Sequence, residues 1–120
     1  MSAEAIGATW VIGVAVASGF IGLGVAKVAK TQAMRARAEH VGLDARAYQL
    51  IGVAEFAGGV GVLAGLRYPP LGFAAGAGLL VLMTGAVLAH ARAADGPTQL
   101  LPAAVFAAGT LAYLLGLGTR

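Results

Sequence analysis

The chain has 120 residues, 59% of them hydrophobic and only 11% charged, with a formal net charge of +3. A soluble domain of this size needs about 25% charge to cover its surface, so a freely dissolved protein is excluded. Having no cysteine, it is also excluded from disulfide, thiolate-metal and CxxC redox chemistry.

The first apolar run extends from Ala8 to Val28. The residues ahead of it carry Glu4 and neither Lys nor Arg, and the run is long for a signal peptide, so it reads as a retained span. The stretch AVAS at Ala15 to Ser18 does resemble a cleavage site. A polar, basic link follows, KTQAMRARAEHVGLDARA, whose helical spacing suits a segment lying along a membrane surface. The second run, Tyr48 to Leu66, contains Glu55. RYPP, from Arg67 to Pro70, makes a tight break before the third run, Leu71 to Ala91. ADGPT, from Ala94 to Thr98, separates that from the fourth, Leu100 to Gly118. Pro102 is read into the first turn of that last run, where a missing N–H costs little. Each run is close to the ~20 residues that cross about 30 Å of hydrocarbon, and none carries a polar stripe. The predicted fold is therefore all-α: one domain over residues 1–120, an integral membrane four-helix bundle with antiparallel up-down spans.

The basic residues suggest an orientation. Lys27, Lys30, Arg35, Arg37 and Arg46 lie in or beside the first link, and Arg92 borders the third. The opposite side holds Arg67 and Arg120. An excess of Lys and Arg marks the cytoplasmic side, which predicts a multi-pass cell-membrane protein with both termini outside. That arrangement puts Trp10 and Tyr68 at the outer interface and Tyr48 at the inner one. It also explains the net charge without nucleic acid, which is not an expected partner.

Three polar residues stand at membrane depth: Lys27, Glu55 and His90. By the helix rise, Lys27 is about 4–5 Å inside the cytoplasmic edge and Glu55 about 10 Å inside. Side chains on a helix lean toward its N-terminus, so Lys27 and His90 tilt inward while Glu55 tilts back to meet them. Small residues share their faces: Gly24 with Lys27, Gly52 and Gly59 with Glu55, Gly76 and Ala86 with His90. Such faces let helices approach closely and should point into the bundle. A carboxylic acid deep in a span is costly enough to need a partner or a task. Lys27 could instead snorkel to the head groups, and His90 with Arg92 could be an ordinary interfacial end. His40, in the polar link, reads as solvated rather than as a ligand. No metal set is expected, and the two histidines show no facing geometry that would favour haem.

The stretches GFIGLGVAKVAKT, HVGLDARAYQLIGVAEFAGGVGVLAGL and PPLGFAAGAGLLVLMTGAVLAHARAAD, taken in that order, resemble the DoxX-like family of small four-helix membrane proteins. The resemblance implies a context, membrane subunits linked to quinone-coupled sulfur oxidation and terminal oxidases. It carries over Lys27, Glu55 and His90 as the polar positions and supplies no reaction and no cofactor. Three functions compete. The chain is read first as binding a small hydrophobic molecule, a quinone being one candidate, at Lys27, Glu55 and His90 within a membrane redox system; electrons would then come from a partner subunit or bound cofactor. It is read second as a structural or accessory subunit with the polar cluster as an assembly lock. The third reading is a proton-coupled exporter of the small multidrug-resistance kind, in which, however, the acid belongs to the first span. The expected partners are the lipid membrane, the hydrophobic molecule, and a partner subunit or second copy of the chain.

Overall fold

Five helices follow one another in the computed structural model, which describes residues 2–29 and 32–119. They are α1 (Ala3–Val28), α2 (Gln32–His40), α3 (Ala45–Arg67), α4 (Pro69–Arg92) and α5 (Pro97–Gly118). Four are long and apolar enough to cross a membrane, while α2 is the short helix expected in the first link. Two of the basic residues used to orient the chain, Lys30 and Arg120, lie outside the described residues.

The helix ends follow local chemistry. Ser2 caps α1 by accepting from the Ala5 N–H, and Asp44 caps α3 by accepting from the Ala47 N–H at 2.7 Å. Prolines open α4 and α5, where an absent N–H removes no helical bond. The start of α5 departs from the sequence reading. Gly96 supplies the N-cap and Pro97 the first helical residue, so Thr98 and Gln99 belong to the helix rather than the link. Pro102 consequently sits inside α5, beyond its first turn, and leaves the Thr98 carbonyl without its i+4 donor.

The spans form a closed ring. Helix α1 packs on α3, α3 on α4, α4 on α5, and α5 returns to α1, while α2 packs on α3 through buried Met34 and Ala38. Short breaks at Tyr68 and at residues 93–96 make consecutive spans antiparallel neighbours. Buried positions recur at helical spacing, as in Gly52, Glu55, Gly59, Val62 and Leu66 on α3. Gly59 is a contact: a Cβ there would lie 2.8 Å from Ile21 Cγ1 and 3.0 Å from the Ala17 carbonyl. Ala86 is half-buried against the same core. Gly65 of α3 and Gly72 of α4 meet backbone to backbone, and the Tyr113 hydroxyl enters the notch they leave, donating to the Val62 carbonyl at 2.7 Å.

The outward faces are the reverse of a soluble protein's. Val11, Val25, Val53, Val81, Val105 and Leu115 are all exposed. Spans of this length with apolar outer faces match hydrocarbon as their surroundings. Three threonine hydroxyls on the spans are satisfied locally. Thr9, Thr84 and Thr110 each donate to the carbonyl four residues back, at 3.0, 2.9 and 2.7 Å.

Candidate functional site

The approach of α1 to α3 depends on two glycines. A Cβ on Gly24 would lie 2.5 Å from the Gly52 carbonyl, and one on Gly52 would lie 2.6 Å from Lys27 Cβ. With no side chain at either position, the Lys27 stem lies directly on α3, one turn before Glu55. Its ammonium forms an ion pair with Glu55 Oε1. Of the two side chains, Glu55 is 0% exposed and Lys27 is 12% exposed. The Tyr48 ring lies under the ammonium, 4.9 Å from centroid to Nζ, adding a cation–π contact. Gln49 donates to the Val28 carbonyl at 2.9 Å, which satisfies an end group of α1 and ties it to the start of α3.

Lys27 therefore turns inward rather than snorkelling. The pair is incomplete on one side. Glu55 Oε2 is buried and has no hydrogen-bond partner among the described residues. An open groove of about 380 Å³ runs along the outer face of α1 and α3, lined by Gly24, Val25, Val28, Ala29, Val53 and Phe56. Two of these are chain neighbours of the pair, Val28 of Lys27 and Phe56 of Glu55. The groove itself is apolar, and the pair lies behind its wall, one residue along the chain from Val28 and from Phe56.

His90, the third residue expected in the polar set, makes its bond elsewhere. Helix α4 ends in a Schellman motif: Ala94 N–H donates to the Ala91 carbonyl and Asp95 N–H to the His90 carbonyl, both at 3.0 Å. The left-handed residue of that motif is Ala94, with φ 58°, where glycine is usual. This turn folds Asp95 back over the last turn of α4, into the place where a hydrophobic contact commonly sits. Asp95 and His90 Nδ1 are 2.6 Å apart, and His40 Nε2 reaches the same carboxylate at 2.8 and 3.0 Å. The bond to His90, then that to His40, holds the Asp95 carboxyl below the usual carboxylate range, against a smaller opposing effect of burial.

His40 is thus half-exposed and also bonded, with its ring centroid 6.5 Å from that of His90. His40 is therefore not merely solvated, and Asp95 does more than make a turn. The available signal was local. A histidine three residues inside a helix end and an aspartate two residues beyond the cap are brought together by any Schellman turn. His40 is a different matter, because only the packing of α2 brings it there.

No curated protein and no solved structure matches this chain. The sequence model of the DoxX-like family matches residues 11–118, a stretch that holds Lys27, Glu55, both histidines, most of the first span and the other three spans whole. With nearly its whole length covered by that match, the chain is a multi-pass membrane protein that belongs to the DoxX-like family.

Proposed function

We propose that this protein binds a small hydrophobic molecule with a hydrogen-bonding head, a quinone or quinol being the class that fits best, as part of a membrane redox system. The observation that carries the reading is Glu55 Oε2, a buried carboxylate oxygen without a partner beside an ion-paired lysine. Leaving a buried polar atom unpaired is costly, and a ligand donor would remove that cost. A quinol hydroxyl could donate to Oε2, and a quinone carbonyl could accept from the Lys27 ammonium. The groove beside the pair supplies apolar surface on the face turned to lipid, from which such a molecule would approach.

Quinone reduction takes up two electrons and two protons. In this reading Lys27 and Glu55 bind and orient the head group, and Glu55 is positioned to hand over or receive a proton at Oε2. The electrons come from a partner subunit or its cofactor. His90 was expected in the same set; engaged by Asp95, it is not needed to hold the head group here.

The test is direct binding. Protein extracted gently from membranes is examined by native mass spectrometry for copurified lipid-like molecules, then titrated with a short-chain ubiquinone in detergent. Wild type is expected to bind the quinone, and Glu55→Gln to bind it at least tenfold more weakly while keeping its helical spectrum. Equal binding by the two proteins, or none by wild type, overturns the reading.

A further inference from the structure

At the end of the bundle where the α1–α3 and α4–α5 links lie, three metal-binding side chains converge from three separate segments. His40 belongs to the last turn of α2, His90 to the last turn of α4, and Asp95 to the α4–α5 link. One ligand atom from each can be chosen so that all lie within 4.8 Å of one another. We propose that His40 Nε2, His90 Nδ1 and the Asp95 carboxylate form a binding site for a first-row divalent transition-metal ion of the Zn²⁺ class.

The chemistry of the donors selects the ion. Two imidazoles and one carboxylate are the borderline set that suits Zn²⁺ and its transition-metal neighbours. A single carboxylate is too few oxygens for Ca²⁺, and Mg²⁺ also favours oxygen ligands. The geometry is that of a metal site closed on hydrogen bonds. Both imidazoles already turn a ring nitrogen toward the same carboxylate, at 2.6 to 3.0 Å. Tetrahedral ligand atoms about 2.0–2.1 Å from a zinc ion stand roughly 3.3 Å apart, so each nitrogen–carboxylate distance opens by about half an ångström while the two imidazole nitrogens draw together from within 4.8 Å. Each ring nitrogen that faces the carboxylate would present its lone pair to the ion, with the ring hydrogen on the other nitrogen.

Two further features favour a built site over a chance cluster. The Asp95 side chain is only 7% exposed although it stands in a link, whereas His40 is 53% exposed and leaves the metal an open approach. Three protein ligands leave a fourth position for water. The second feature is the backbone. Ala94 holds a left-handed conformation, unfavourable for a residue with a Cβ, and this conformation sets Asp95 against His90. Strain of that sort concentrates where side-chain placement matters. The alternative role for the cluster is a carboxylate shared by two imidazoles with no metal. The two differ in what they predict on adding zinc.

The experiment uses tag-free full-length protein in detergent, stripped with EDTA and then titrated with Zn²⁺ by calorimetry and followed by thermal unfolding. Wild type is expected to bind one ion per chain and to melt at a higher temperature with Zn²⁺, while Mg²⁺ leaves it unchanged. His40→Gln changes a half-exposed residue and should still fold. It is expected to bind Zn²⁺ at least tenfold more weakly and to lose the thermal shift. Asp95→Asn keeps the shape of the carboxylate and should show the same loss. No binding by wild type overturns the proposal, and so does binding that His40→Gln leaves undiminished. Because Lys27 and Glu55 play no part in this measurement, its failure is distinguishable from failure of the quinone reading.

Discussion

Removing Lys27 should harm the protein more than removing Lys27 and the charge of Glu55 together. In Lys27→Met the stem is kept in shape but the ammonium is gone, so a carboxylate with no exposed surface loses its counter-charge. Breaking one side of a buried pair costs about 3–5 kcal/mol. The cation–π contact to Tyr48 goes as well, adding about 0.5–1 kcal/mol. Glu55→Gln is milder. The amide occupies the same space, and the ammonium keeps the Tyr48 ring, so the cost is that of one altered buried hydrogen bond, about 1–2 kcal/mol. The double variant carries no stranded charge and should be more stable than Lys27→Met alone. The coupling between the two positions is then about 2 kcal/mol or more, well above the ~0.5 kcal/mol scatter of independent sites. Thermal unfolding of the four proteins in one detergent measures the cycle, at roughly 4 °C per kcal/mol for a chain of this size. Strict additivity of the single changes would refute the argument. It would mean that the ion pair contributes nothing and that the buried carboxylate is stabilised by some other group.

Other perturbations test other parts of the structure. Gly59→Leu drives a side chain into Ile21 and the Ala17 carbonyl and should lower the melting temperature by the equivalent of about 2 kcal/mol or more; an unchanged melting temperature would contradict the α1–α3 contact. Tyr113→Phe removes the donor to the Val62 carbonyl and should cost about 1–2 kcal/mol in the same assay. Ala94→Gly relieves the left-handed strain at φ 58° and should stabilise by about 1 kcal/mol; a lower melting temperature would show that Ala94 makes contacts worth more than its strain. For the orientation, a cysteine placed at Ser2 should react with an impermeant external thiol reagent and one at Gln32 should not. The reverse pattern would invert the chain in the membrane.

How much of this was legible in advance depends on the range of the forces involved. The four spans were, because an apolar run of about 20 residues and a proline at a helix start act locally. The buried face of α3 was too: Gly52, Glu55, Gly59 and Val62 repeat at helical spacing and are all buried in the structure. The lean of Lys27 and Glu55 toward each other followed from helix geometry and the glycines beside them, but whether Lys27 paired or snorkelled was left to the packing. Where α5 begins was less clear, because the polar pair Thr98–Gln99 resembles a link while Gly96 and Pro97 already cap and open the helix. The His40 arm of the His40–Asp95–His90 cluster lay beyond sequence reading. His40 and Asp95 are 55 positions apart, and no hydropathy pattern records how α2 packs on α3 or where it brings its last turn. The unpartnered Glu55 oxygen was hidden for the same reason. That an acid is buried follows from its place in an apolar run, but which of its two oxygens finds a donor depends on every helix around it, and only the packed bundle decides that.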